Sequence, residues 1–256
     1  MISRCDVWLG GVALSEVSPS IYVADIAYQA ASPTISTSRI AALDGGYSGK
    51  RAYLKESKIS VSFAVLEYSV QRRQEIVQDV IAWAVNGGWL RASDRFGQRI
   101  YVKASKLPAV TSALRWTENL SIEFTAYDYP YWKDEKPVNV TVANGDTETL
   151  KLRGTYQSCV CAVVTAWAAV TEISITVGDT TVALEDLELQ DGDTVTISYT
   201  DEHHILEIED GNGVSLLDKR TAASADDLIA QPGENDVSFT ADGTASCLIS
   251  AQGVYM

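Results

Sequence analysis

Histidine is nearly absent from this 256-residue sequence, cysteine is rare, and no long uninterrupted apolar stretch occurs. The two histidines, His203 and His204, are adjacent, so on a strand they face opposite sides. Neither Gly-x-Ser-x-Gly nor His-Glu-x-x-His is present, which removes the usual nucleophilic and zinc-protease centres. Although 34 Asp+Glu make carboxylate pairs unavoidable, no spacing singles one out for sugar hydrolysis. No enzyme activity is expected. Cys5, Cys159, Cys161 and Cys247 fit neither a disulfide framework nor a Cys-x-x-Cys metal pair, so no metal is expected. They read as buried, reduced, small apolar side chains of a protein made in a cytoplasm. The longest apolar run, Cys159–Val170, is about half of what a bilayer-spanning helix needs. Val7–Leu14 is broken by Gly10 and Gly11 and lacks a cleavage pattern, so Met1–Val17 reads as a strand and a turn rather than a secretory leader.

Basic residues are missing from one half only. Met1–Pro137 has 16 Lys+Arg against 14 Asp+Glu, whereas Val138–Met256 has 4 against 20, a net charge of −16. Such asymmetry predicts two domains, 1–137 and 138–256, each of common size. The acidic half would repel phosphate, which argues against nucleic acid and anionic membrane as its partners. The change falls at Ala126–Pro137, where Pro130 and Pro137 interrupt regular structure. Tyr129, Pro130, Tyr131, Trp132 and Pro137 mark the inter-domain connector, and its aromatic rings predict that it lies against a surface.

In the first half, Val12–Ser38 reads as short strands and loops. Leu43–Lys50 is glycine-rich but lacks the spacing of a phosphate-binding loop and precedes no helix, so no nucleotide cofactor is expected. Lys58–Leu66 alternates, placing Ile59, Val61, Phe63 and Val65 on one buried face. Ser69–Val85 then switches to helical period, capped by Ser69 and ended by Asn86-Gly87-Gly88. Leu90 resumes the strands, Asp94–Gly97 is a turn, and Gln98–Ser105 returns as a hairpin partner. Arg91, Arg95, Arg99, Lys103 and Lys106 form a solvated basic face of that hairpin, available to an acidic neighbour. Arg115–Tyr127 is a further strand, with Trp116, Leu120, Ile122 and Phe124 turned to the core.

The second half is punctuated by glycine turns and reads as an all-β sandwich or jelly roll. Asn144-Gly145-Asp146 predicts a hairpin between Val138–Ala143 and Glu148–Arg153. Further strands are expected at Ile173–Val177, Thr194–Tyr199, His204–Glu209, Val214–Leu217, Asp236–Ala241 and Ala245–Tyr255. Ser224–Asp227 predicts the start of a short helix, with Asp227 in the capping-box place. Asp210-x-Asn212 opens like a calcium loop, but Val214 stands where the third ligand would be, and Asp with Gly is what tight turns prefer.

Several of these features in order resemble a known family. Strand Lys58–Leu66, helix Ser69–Val85, Gly-Gly-Trp-Leu at 87–90, the hairpin and Phe-Thr-Ala-Tyr-Asp-Tyr-Pro-Tyr-Trp at 124–132 are similar to the distal tail protein (Dit) family of long-tailed bacteriophages. Leu187–Asp193, Ser224–Leu228, Gln231–Val237 and a last strand ending at Tyr255 extend the likeness over nearly the whole chain. The resemblance implies a mainly β fold: an N-terminal β-sandwich with one α-helix and a β-hairpin, then a galectin-like or jelly-roll sandwich facing outward. It implies a homo-hexameric ring in the virion, at the distal end of the tail. The ring would join the tail tube protein to the tail-tip hub or fibre protein, and receptor-binding proteins are further possible partners. Made in the host bacterial cytoplasm, it would need no cofactor, membrane insertion or nucleic-acid sequence recognition. Candidate ring-interface residues are Tyr47, Lys50, Arg91, Arg95, Phe96, Arg99, Tyr101 and Lys103. The alternative is a monomeric carbohydrate- or host-receptor-binding module. Its second half offers Trp167, inside an apolar run and expected in the core, with Tyr156, Tyr199 and Tyr255.

Overall fold

The computed structural model describes residues 5–34, 37–38, 47–48, 53–111, 119–127, 129–200 and 204–256. They form a mainly β protein. The strands are β1 (Val7–Leu9), β2 (Val12–Ala13), β3 (Ile21–Gln29), β4 (Pro33–Thr34), β5 (Thr37–Ser38), β6 (Tyr47–Ser48), β7 (Tyr53–Leu54), β8 (Ser57–Val65), β9 (Gly88–Ala92), β10 (Gln98–Lys106), β11 (Leu120–Ala126) and β12 (Trp132–Asp134). They continue as β13 (Val138–Ala143), β14 (Thr147–Leu152), β15 (Ser158–Ala166), β16 (Ile173–Val177), β17 (Thr180–Leu184), β18 (Thr194–Tyr199), β19 (Leu206–Asp210), β20 (Ile229–Ala230), β21 (Gly233–Ala241), β22 (Ala245–Ala251) and β23 (Val254–Tyr255). Two helices, α1 (Leu14–Val17) and α2 (Val70–Ala84), and one 3₁₀ turn at Leu217–Lys219 complete the described elements. The chain divides into two compact units, Met1–Trp132 with Met256, and Lys133–Tyr255.

Unit 1 is built on an antiparallel sheet in the order β2-β1-β9-β10-β11-β8-β3. Strand β8 lies one in from the edge, paired with β11 on one side and β3 on the other, and its alternation buries Ile59, Val61 and Phe63. Full burial of such side chains is worth about 1.5–3 kcal/mol each. Helix α2 starts where Ser69 Oγ accepts the Arg72 amide at 3.3 Å. It buries Ile76, Val77, Val80 and Ala84 and packs against β8 and α1. Gly87 ends it at φ +64, so close to β10 that a Cβ would lie 2.4 Å from the Val102 carbonyl oxygen. Met1–Val17 holds more than the expected strand and turn: Glu16 accepts the Ala13 amide at 3.0 Å and nucleates the single turn α1. Residues 112–118, including Arg115 and Trp116, lie outside the described residues, and the strand there is described from Leu120.

Unit 2 is a two-sheet sandwich. One sheet runs β13-β22-β15-β18-β19, with β20 beside the start of β15; the other runs β14-β21-β16-β17. Val160, Val164, Val195, Cys247 and Ile249 from the first face Leu150, Ile175, Val182 and Phe239 from the second across one core. The turn Asn144-Gly145-Asp146 does not close the expected hairpin. Strand β13 pairs β22 and β14 pairs β21, so the turn carries the chain from one sheet to the other. Gly145 takes φ +84, as the dipeptide predicts, but Asn144 is committed elsewhere. Its amide nitrogen donates to the carbonyls of Ala241 and Gly243, and its oxygen accepts the Ala241 amide at 2.8 Å.

Three other expectations change in unit 2. Ser224–Asp227 forms no helix, because the Ser224 hydroxyl bridges the Ala183 amide and carbonyl on β17 instead of capping a turn. Val214–Leu217 is not a strand: its one ladder contact is an isolated bridge between Ser215 and Glu209, after which the chain coils into the 3₁₀ turn. The closing strand is interrupted at Gln252–Gly253, where Gln252 Nε2 donates to the Asp134 carbonyl and the Gly253 carbonyl accepts the Asp134 amide.

Candidate assembly surfaces

The β9–β10 hairpin carries six of the predicted interface residues. Its tip is closed by the Arg95 amide to the Ala92 carbonyl and the Gln98 amide to the Arg95 carbonyl. At that tip Phe96 is 99% exposed. The basic face below is not simply solvated. Arg99 lies 4.1 Å from the centroid of Trp89, which meets Tyr101 edge-on at 5.5 Å across the hairpin. Arg95 lies over two rings that touch each other, 4.6 Å from the centroid of Tyr28 and 4.8 Å from that of Trp132. A guanidinium over an aromatic face gains about 0.5–2 kcal/mol, so two of the predicted cations are spent inside unit 1. Arg91 stands opposite Trp8 on β1, while Lys103, opposite Thr125, is exposed.

The same cluster receives the connector. Pro130 is buried, and Tyr131 and Trp132 are only 9% and 5% exposed. Tyr129 meets Tyr131 at 4.8 Å, and Trp132 meets Tyr28 edge-on at 5.7 Å. Tyr28 donates its hydroxyl to Asp94, and burial, then that carboxylate, pushes its ionisation far above the ordinary tyrosine range. A cavity of about 160 Å³ lies beside Tyr28, Arg95, Tyr131 and Trp132, floored by Ile59. The fold thus brings Arg95, a hairpin residue, together with the connector residues Pro130, Tyr131 and Trp132. Pro137 is exposed in unit 2. The backbone of Tyr47 pairs with Ser38; its side chain, and all of Lys50, fall outside the described residues.

One exposed aromatic was not anticipated. Tyr68, between β8 and α2, is 95% exposed, yet the backbone of its loop is hydrogen-bonded by side chains. Arg73, 5% exposed, reaches back from the first turn of α2 to donate to the carbonyls of Glu67 and Tyr68. The Glu67 carboxylate accepts the Tyr68 amide at 2.8 Å. The helical period of the sequence does not single out Arg73; the fold shows it buried as a strut.

In unit 2, Trp167 is not in the core. Strand β15 ends at Ala166, and Trp167 is 57% exposed, its Nε1 donating to Ser246 Oγ at 3.3 Å. Among the cysteines Cys247 alone is buried; Cys5, Cys159 and Cys161 are half-buried. Burial pushes the Cys159 thiol up to about 12, with Asp227 adding to the shift, and burial alone does the same for Cys247. Both are poor nucleophiles. His204 precedes β19 at φ +54, stacked on Tyr199 with centroids 4.9 Å apart, and Lys133 Nζ lies 3.3 Å from its Nδ1. His203 lies outside the described residues. Asp210 accepts the amides of Asn212 and Val214, each at 2.8 Å, so its carboxylate closes the turn that resembled a calcium loop.

No protein-family model matches the sequence, and no curated protein matches it. Solved structures do. The SPP1 Dit (gp 19.1) protein, described as a paradigm of the hub adsorption apparatus in phages infecting Gram-positive bacteria, superposes with a TM-score of 0.74 at 12% identity, over 97% of this chain and 98% of that one. The chain has the Dit fold. A chain of the phage P2 baseplate in its activated conformation matches more loosely, with a TM-score of 0.52 at 7% identity, over 99% of this chain and 98% of that one. With 97% of the chain covered, the likeness takes in both units.

Proposed function

We propose that the chain is a non-enzymatic structural protein of a bacteriophage tail tip: six copies form a ring that joins the tail tube to the hub or fibre apparatus. The observation that carries this reading is the Dit fold across nearly the full length of both chains. In the proposal unit 1 forms the ring belt and unit 2, a galectin-like sandwich, faces outward. Charge supports that division. Lys133–Tyr255 carries 22 Asp+Glu against 6 Lys+Arg, so six copies of it repel one another and favour the periphery, while the near-neutral first unit can tile. Phe96 and Tyr68 are the exposed aromatics of unit 1 best suited to anchor a subunit contact, with Arg91, Tyr101, Lys103, Tyr47 and Lys50 as further contributors.

The test is the solution mass of the purified chain, followed by negative-stain imaging. A species six times the 27.7 kDa chain mass, with an open central channel, is the expected result. A chain that remains monomeric even with the tube and hub proteins of its own phage present would overturn it.

A further inference from the structure

The outward face of the β13-β22-β15-β18 sheet differs from the rest of unit 2. Despite 28 charged residues in Lys133–Tyr255, the rows across this face carry none. The central row runs Thr141, Leu248, Val163 and Thr196, residues that pair directly across the four strands. The next row includes Ser246 and Thr165. Acid returns on the neighbouring edge strand β19, where Glu209 stands opposite Thr196 and Glu207 opposite Ser198. Trp167 stands at the end of this face. Its backbone amide donates to the Thr244 carbonyl at 2.8 Å and its indole N–H to the outward Ser246 hydroxyl, so the ring is exposed yet held in one orientation.

We propose that this face binds a neutral oligosaccharide, with Trp167 as the stacking platform. Depletion of charge marks a recognition surface when the surrounding surface is highly charged. A strongly acidic unit repels anionic ligands. The face offers hydroxyl groups that both donate and accept, matching the alternating donors and acceptors of a sugar. A fixed indole presents a large apolar plane to a sugar's C–H face at little entropic cost. A protein interface would need a broader apolar centre than Leu248 and Val163 supply. The proposal is independent of the ring.

The full chain is titrated with β-1,4-linked N-acetylglucosamine tetramer and with α- and β-galactosides, using tryptophan fluorescence and heteronuclear NMR. At least one probe is expected to bind at roughly millimolar affinity or better. Trp167→Ala is expected to weaken it roughly tenfold or more, Trp167→Phe to retain part of it, and Val163→Lys to abolish it. Thermal unfolding of each variant checks that it folds, and its solution mass reports separately on the ring. The proposal is overturned if no probe shifts resonances of this face, if binding survives both Trp167→Ala and Val163→Lys, or if Val163→Lys changes the oligomeric mass, which would make the face a contact between copies.

Discussion

His204 shows how one buried side chain sets a pH response. Burial, and secondarily the Lys133 ammonium, lower its pKa from 6.5 to about 3. Lys133 has only protons to give, so it donates to Nδ1 and fixes the imidazole proton on Nε2. Above pH 6.5 the imidazole is neutral in both folded and unfolded chains and contributes no pH dependence. As pH falls from 6.5 towards 3, the unfolded chain takes up a proton that the folded one refuses, so stability is lost, at most about 1.4 kcal/mol per pH unit. His204→Gln should flatten that slope in denaturant unfolding at stepped pH; an unchanged slope would place the effect elsewhere. Arg73 is the second residue-level test. Arg73→Met keeps the stem but removes both donors to the Glu67 and Tyr68 carbonyls, and should cost about 2 kcal/mol or more in urea unfolding. By contrast Tyr68→Ala should shift stability by less than about 0.5 kcal/mol while weakening self-association, because its side chain touches solvent rather than core.

Elements were legible where a local signal specifies a local structure. Helix α2 follows from period, cap and terminator: Ser69 accepts the Arg72 amide, and Gly87 adopts the left-handed conformation. Gly87→Ala would strain φ and press a methyl group against the Val102 carbonyl, so it should cost at least about 2 kcal/mol, read as a lowered urea midpoint with unchanged m-value. What local signals omit is the partner. The Asn144-Gly145 dipeptide fixes a turn, but nothing in it says that the two arms join different sheets, because that choice is made by β21 and β22 far along the chain. Asn144→Ala should therefore cost about 1–3 kcal/mol, more than an ordinary exposed hairpin asparagine, and hydrogen exchange should quicken at the Ala241 amide that it releases. Trp167 was misplaced for a related reason: composition gives an apolar run from Cys159 to Val170 but not the residue at which β15 stops. Likewise Arg95 and Arg99 look like hairpin surface in sequence; Arg95's two rings, Tyr28 and Trp132, come from opposite ends of unit 1.

For the molecule as a whole the governing quantity is unequal charge. The sequence shows it directly, since counting needs no fold: Met1–Trp132 has 14 Lys+Arg and 12 Asp+Glu, whereas Lys133–Tyr255 is at net −16. Self-repulsion therefore opposes compaction in one unit and hardly at all in the other. Screening length falls from about 30 Å at 0.01 M salt to about 8 Å at 0.15 M, from longer than the spacing across a sandwich to shorter than it. Raising salt over that range should stabilise unit 2 and leave unit 1 nearly unmoved. Hydrogen exchange read by mass spectrometry separates the two responses within the intact chain, since peptides from β15, β18 and β22 report on one core and peptides from β8, α2 and β11 on the other. Slower exchange in the first set alone is the expected outcome. An equal gain in both would mean that the acidic surface is already neutralised locally, by turns such as Asp210 and Asp242 whose carboxylates accept backbone amides, and that net charge does not set where unit 2 can stand in an assembly.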